Sequence, residues 1–403
     1  MSLIKGASII GASSVISQAF GAFTILLMSS QFGMADVGNY ALTLSIVMIG
    51  TQVSLYGSHF LLPKVEQDEV GKAVIFCMLQ SWCVSAVYVF AVSFFFSLPI
   101  ISVYLLTASY SMMIISEYMF LRHKAFNTLA IQRISVPLVV FLSLLASPKV
   151  DYFYYIWACS HLVLILTWLY KGMDFSYFSK QDFKFTTQKS FFSEHKNHLS
   201  RIGTAEVVAN ASLQLPTVLI NYWFSPLVAG YFAVVNRFCL SPVLILGQSV
   251  RNYTFSKWSE DFRNKTFNYA EFKQVRLFLV SIAAMTVAGI YFVYPLITEY
   301  FGNHQWIQSI ETSRLMLPYV FAMLAFVPLT VVELIFGTPS SFLRIQCEQL
   351  FIVFLAFVLL PFFHKDYALS LLAFTTLTAG RYFMVYLKIN KNAAKLREGV
   401  VEK

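Results

Sequence analysis

Twelve apolar stretches, each near the ~20 residues that cross a hydrocarbon core as a helix, follow one another along the chain with short polar segments between them. They run over 8–30, 38–62, 73–95, 98–121, 127–146, 152–170, 201–224, 226–250, 276–297, 313–336, 343–363 and 367–388. The third and fourth are divided only by the Phe-Ser-Leu-Pro run at 96–99, and the fifth is interrupted by Gln132, Arg133 and Pro137. The longest hydrophilic segment, residues 171–200, is too short for a folded domain. Its mixture of Phe and Lys suggests a strand lying on the membrane surface.

A weak repeat organises these stretches. Residues 33–42, GMADVGNYAL, recur as residues 225–234, SPLVAGYFAV, with Gly38 falling on Gly230, Tyr40 on Phe232 and Ala41 on Ala233. Similarity at one fixed offset points to a chain built from two copies of one unit. Six spans form an even number, so each half begins and ends on the same side. The expected fold is an all-α integral membrane protein with about twelve transmembrane helices in two six-helix lobes. A pseudo-two-fold axis along the membrane normal would relate the lobes. The expected organisation is an N-lobe at 1–170, a cytoplasmic interlobe loop at 171–200, a C-lobe at 201–390 and a basic tail at 391–403.

Composition agrees with the pattern. Hydrophobic residues make up 58% of the 403 and charged residues only 12%, about half the share of a soluble domain. After Lys5 the chain runs without charge from Gly6 to Ala35, longer than the ~7–15 residues of a signal h-region. The first span is therefore read as a retained membrane helix. With the N-terminus inside, twenty-three Lys and Arg fall on the cytoplasmic side. Lys149, Arg314 and Lys365 are the three that fall outside. Both termini are expected in the cytoplasm, and the net charge of +9 faces the anionic inner leaflet, with no nucleic-acid partner required. The five cysteines lie in apolar segments and read as small buried residues. The seven scattered histidines read as interfacial, and no metal or cofactor site is expected.

Charges inside spans are costly and mark cavities or partners. They are Glu117, Arg133, Glu206, Arg237, Glu333, Glu348 and Arg381. At ~1.5 Å of rise per residue, all but one lie within roughly 10 Å of the cytoplasmic end of their span. Arg237 stands near mid-membrane, about 20 Å from that end, where the first repeat has Ser45. A guanidinium keeps its proton and its fork suits a phosphate group, so a hydrated cavity is expected around it. Arg133 and Arg381 are weaker candidates nearer the cytoplasmic mouth. In span seven, Glu206, Asn210, Gln214, Thr217 and Asn221 recur at helical spacing and define one polar face. Gln18 in span one and Gln52 in span two extend it. Interhelical hydrogen bonding is the alternative role for such faces, and the preferred one for single serines. Glu206 is either a coupling site for a proton or cation, or half of a structural ion pair with a nearby Arg.

No phosphate loop, nucleophile elbow or HExxH motif is present. No large outer loop offers catalytic residues, so a transporter is expected rather than an enzyme. The chain resembles the polysaccharide-unit flippases of bacterial inner membranes. These form the O-antigen, or Wzx-type, branch of the multidrug/oligosaccharidyl-lipid/polysaccharide exporter superfamily. The motifs are Lys5-Gly6-Ala7-Ser8, Phe32-Gly33 through Gly38-Asn39-Tyr40-Ala41, Gly230-Tyr231-Phe232-Ala233 through Asn236-Arg237, and Phe301-Gly302. The resemblance implies a V-shaped bundle around a central cavity. It implies transfer of an undecaprenyl-diphosphate-linked oligosaccharide to the periplasmic leaflet by alternating access, in support of O-antigen and lipopolysaccharide synthesis. Arg237 would meet the diphosphate, and Asn210, Gln214, Asn221, Gln18 and Gln52 would meet sugar hydroxyls. The implied partners are membrane lipid, the lipid-linked glycan, and the polysaccharide polymerase with its chain-length machinery. Spans one and two carry no charge, which also suits a neutral repeat unit. A multidrug exporter of the same fold, or a membrane polymerase or glycosyltransferase, is the alternative.

Overall fold

A computed structural model describes residues 3–173, 175–263, 266–301, 305–336 and 339–397. Residues 398–403, Gly302 and the side chains of residues 1–10 lie outside the described set. The basic tail end, the second half of the Phe301-Gly302 motif and the side chains of Lys5, Ala7 and Ser8 therefore fall beyond it. Among the described residues the chain is helical, with no strand.

Every expected span coincides with helix. The first six are α1 (Leu3–Gln31), α2 (Met34–Leu55), α3 (Val70–Ser93), α4 (Ile100–Arg122), α5 (Phe126–Leu145) and α6 (Val150–Gly172). Next come α7 (Phe185–Trp223), then α8 (Pro226–Val235) continuing into α9 (Ser241–Arg263), and α10 (Tyr269–Phe301). The tenth span is broken into α11 (Ser309–Leu315), α12 (Leu317–Ala325) and α13 (Val331–Phe336), with a 47° bend after Leu315. Pro318 and Pro328, which lack an amide donor, lie at its breaks. The last two are α14 (Pro339–Phe354) with α15 (Leu360–Phe363), and α16 (Tyr367–Arg397).

Nine described helices are long and apolar enough to cross a membrane, ten with the bent pair. The chain is a multi-pass membrane protein. Helices α2 and α7 fall outside that group, because their polar faces lower their hydropathy.

The surface strand expected in residues 171–200 is not formed. From Phe185 the chain is already in α7, a single helix of 39 residues. Buried Gln188, Phe191 and Leu199 recur at helical spacing there, and Phe191 packs on Phe76 at 5.5 Å between ring centres.

The molecule divides into two compact units. The first holds residues 1–32 and 39–218, and the second holds residues 33–38 and 219–403. This line falls inside α7, whereas the expected lobe boundary lies at residues 171–200.

In the first unit α1 lies along α5, and α4 packs on α3, α5 and α6. Its aromatic centre joins Tyr40, Phe153 and Trp157, with ring centres 5.5–6.0 Å apart. Serine hydroxyls bridge helices where apolar packing alone would leave contact between bundle helices nonspecific. Ser54 and Ser85 meet at 2.8 Å, and Ser17 donates to the Arg133 carbonyl at 2.7 Å.

In the second unit α12 packs against α9, α10 and α16. Its centre is formed by Trp258, Phe272, Leu329, Val332 and Ile389. Cys77 and Cys239 are buried as expected, but Cys83, Cys159 and Cys347 are exposed on helix faces. Two histidines are buried rather than interfacial: His161 bonds Ser109 at 2.8 Å and stacks on Tyr110, and His59 is 2% exposed.

Candidate functional site

The intramembrane charges sort first by whether they are paired. Arg133 on α5 donates from Nε to Glu117 Oε1 on α4 at 3.0 Å, and its Nη2 donates to the same oxygen. Arg381 on α16 donates to Glu348 Oε2 at 3.3 Å, to Gln349 Oε1 at 3.2 Å and to the Ile345 carbonyl. It is 6% exposed, and its guanidinium lies over the Tyr382 ring. Arg344 shares Glu348 at 2.7 Å. Glu333 receives Lys388 at 3.4 Å and Asn392 at 2.7 Å. Apart from Arg344–Glu348, which lies within α14, these pairs join helices of one unit and satisfy charges that lipid would leave costly.

Glu206 differs. Half-buried on α7, it has no ion pair or hydrogen bond among the described residues. The structural ion pair considered for it is absent there.

In the first unit α2 and α7 form an antiparallel seam. Ser45 donates to Gln214 Oε1 at 3.1 Å, and the Tyr56 and Thr204 hydroxyls meet at 2.8 Å. Beyond them Gly57 meets Gly203. In this register Gln52 stands opposite Val207 and Val208, and Asn210 opposite Ile49 and Gly50. The two amides are thus about 4 Å apart along the seam at ~1.5 Å per residue.

The oxygens Gln52 Oε1 and Asn210 Oδ1 are both buried and accept no hydrogen bond. Gln18 Oε1 on α1 is buried and unsatisfied in the same way. Buried acceptors normally find donors. Gln80 Oε1, Gln132 Oε1 and Gln188 Oε1 of this unit are also buried without a donor, but their amide nitrogens bond the protein, whereas the amides of Gln18, Gln52 and Asn210 make no hydrogen bond among the described residues. Gln214 is the exception, since it takes the Ser45 hydroxyl.

Arg237 lies in the second unit. Ser225 caps α8 by accepting the Val228 amide at 3.2 Å, and Pro226 follows at the first helical position, where its missing donor is harmless. The helix then widens into a π-turn over Asn236–Leu240, closed by the Ser241 amide and hydroxyl on the Asn236 carbonyl. Such turns bulge one residue outward and recur at functional sites. Arg237 occupies this turn and is half-buried. Beside it Asn236 Oδ1 is buried without a donor. Asn221 Nδ2 reaches the Gly38 carbonyl at 3.5 Å.

The repeated glycines meet each other in this unit. A methyl group on Gly38 would run into the Pro226 carbonyl and lie 2.9 Å from the Gly230 amide nitrogen. One on Gly230 would run into the Met34 carbonyl. Only hydrogen side chains let the two backbones approach this closely. Farther along, an apolar groove of about 500 Å³ lies between α10, α12 and α16, lined by Phe321, Phe326, Phe383 and Gly380 among others.

Sequence reasoning missed Asn236 and the π-turn, because neither has a periodic signature. It also missed Tyr118, whose ring meets that of His59 at 4.8 Å.

No family model matches the chain, and no curated relative matches it. Solved structures do. The chain is similar to the lipid II flippase MurJ in an inward closed conformation, with TM-score 0.69 and 15% identity over 96% of this chain and 90% of that one. It is similar to the MATE multidrug transporter DinF-BH in complex with R6G, with TM-score 0.65 and 12% identity over 97% of each. A third is a MOP superfamily transporter from Pyrococcus furiosus Vc1 (DSM3638), described by the reverse polarity of its binding pocket. There the TM-score is 0.56, with 13% identity over 98% of this chain and 96% of that one. At these identities the likeness is one of fold, and it covers nearly the whole chain.

Proposed function

We propose that this protein is a flippase that moves an undecaprenyl-diphosphate-linked oligosaccharide, an O-antigen or related repeat unit, from the cytoplasmic to the periplasmic leaflet of a bacterial inner membrane by alternating access. Both termini face the cytoplasm in this reading, and no bond of the substrate is made or broken.

The observation that carries the proposal is that Gln18, Gln52 and Asn210, on α1, α2 and α7, have buried amide oxygens without a donor and make no amide hydrogen bond among the described residues. A glycan presents a dense array of hydroxyl donors, which is what such acceptors lack. Gln214 and Asn221 add amides on the same helix. In the second unit Arg237, half-buried in its π-turn, carries the planar guanidinium that would suit a diphosphate. Arg133 keeps about a third of its side chain exposed while holding Glu117, which leaves room for a secondary contact with the head group. Arg381 has its donors committed to the protein and is assigned the role of holding α14 to α16.

The fold is shared with a protein named as a lipid II flippase. The polymerase and chain-length machinery would receive the product. Arg237→Ala, in cells that depend on this protein, should abolish surface polysaccharide while the membrane level of the protein stays normal. Unchanged polysaccharide would remove Arg237 from the mechanism.

One observation favours export of organic cations instead. Glu206 is a half-buried carboxylate with no cationic partner among the described residues. The readings separate in a drug-susceptibility assay: deletion should leave tolerance of organic cations unchanged if the substrate is a glycan lipid.

A further inference from the structure

The first turns of α7, residues 185–200, carry three distinct faces. At about 100° per residue, Phe185, Lys189, Phe192 and Lys196 fall within roughly 60° of one another. All four are exposed, Phe185 at 80%. Neither lysine has an ion pair or hydrogen bond among the described residues. On one side of this stripe lie the buried Gln188, Phe191 and Leu199. On the other lie Thr186, Ser190, Ser193 and Asn197, short polar groups open to solvent.

Contacts fix the height of the stripe. Gln188 Nε2 donates to the Lys72 carbonyl at 3.3 Å. Phe191 and Phe192 pack on Phe76, with ring centres 5.5 and 6.2 Å away. Lys72 and Phe76 stand in the first two turns of α3, which crosses the membrane from there. The arm before α7 is fixed to the same place. A methyl group on Gly71 would run into the Tyr177 carbonyl, and Gln67 donates to the Tyr177 hydroxyl at 3.1 Å. The Phe–Lys stripe is therefore level with one end of a membrane span, where hydrocarbon gives way to headgroups.

Phe and Lys sharing one exposed face suit neither water nor a protein partner. Bare rings in water forgo the gain of burial, and lysine is depleted from the cores of protein interfaces. An anionic lipid surface satisfies both residue types. The rings enter the boundary of the acyl chains, while the ammonium groups reach phosphate on their flexible stems.

We propose that this face of α7 is a docking surface for anionic phospholipid, with Phe185 and Phe192 in the acyl boundary and Lys189 and Lys196 on lipid phosphates. Docking holds the start of α7 against the leaflet. The surface is separate from the amides and from Arg237, which are assigned to the glycan lipid. Only the placement of this end in the cytoplasmic leaflet rests on the flippase reading.

The test uses the full chain without any glycan lipid, so its failure leaves the flippase reading standing. The protein is placed in nanodiscs of phosphatidylcholine, and of phosphatidylcholine with an equal share of phosphatidylglycerol. Hydrogen exchange is read at residues 189–200. One lysine near an anionic surface is worth about a factor of five, so the pair predicts roughly 30-fold greater protection with phosphatidylglycerol at low salt. High salt should erase the difference by screening.

Lys189→Gln combined with Lys196→Gln should remove the difference and leave protection in phosphatidylcholine unchanged. Arginine at both positions should keep it. Phe185→Ser, which deletes an exposed ring without touching the core, should lower protection in both lipids. Equal protection of wild type in the two lipids, a difference that survives the double Gln variant, or one spread evenly over α4 and α16 overturns the proposal. So does unchanged protection in Phe185→Ser.

Discussion

Replacing Gly38 by alanine adds one methyl group at the tightest helix crossing described in the second unit. Its position is dictated by the backbone. It runs into the Pro226 carbonyl oxygen and sits 2.9 Å from the Gly230 nitrogen. Both neighbours are main chain, so no side chain can swing aside, and α2 must part from α8. Overpacking of this kind costs about 1–3 kcal/mol, against which alanine recovers roughly 1 kcal/mol of helix propensity. A net loss of about 1 kcal/mol lowers the melting temperature by roughly 2–4 °C for a unit of this size.

The structure supplies its own controls. A methyl group at Gly289 or Gly380 meets nothing within 4 Å. Gly289→Ala and Gly380→Ala keep only the propensity gain, and should melt at or slightly above wild type. The assay is thermal unfolding of the purified protein in one detergent, with all variants side by side. If Gly38→Ala melts with the two controls, the close crossing is not a feature of the folded protein. The explanation of the repeated glycine then fails with it.

Gln52→Leu and Asn210→Leu each remove a buried acceptor that has no donor. Each should leave stability unchanged or raise it by about 1 kcal/mol while transport falls, read as melting temperature against surface polysaccharide. Arg381→Ala leaves Gln349 Oε1 and the Ile345 carbonyl without their donor, while Arg344 still holds Glu348, and should destabilise by about 1–3 kcal/mol, with Arg381→Lys recovering part of it. A double-mutant cycle on Glu117 and Arg133, using Glu117→Gln and Arg133→Gln, should give a coupling of about 1–3 kcal/mol in the same melting assay.

The spans were legible because a bilayer imposes a length on every helix that crosses it, and apolar runs of that length are hard to hide. Even α2 and α7, too polar for a hydropathy criterion, were read as spans because charge is absent from residues 37–63 and 207–236. The start of α7 was hidden by its mixture of Phe and Lys, where the helical period is carried by few buried residues.

Depth along the normal could be counted, but direction around each helix could not. Glu348 and Arg381 were therefore known to share a level, while their pairing depended on α14 lying beside α16. Likewise the repeat announced a duplicated unit. That its two glycines meet each other depends on packing, which no local pattern records. The π-turn at Arg237 is a single-residue insertion into helical bonding, invisible to any periodicity.

The central claim is tested most directly by the sidedness of the lipid-linked glycan in sealed inner-membrane vesicles of known orientation. A membrane-impermeant lectin or glycosidase reports which leaflet holds it. With the wild-type protein the newly made glycan lipid should become accessible on the periplasmic face. After depletion, or with Arg237→Ala at normal abundance, it should accumulate on the cytoplasmic face. Equal accessibility on the periplasmic face with and without the protein would contradict the flippase account.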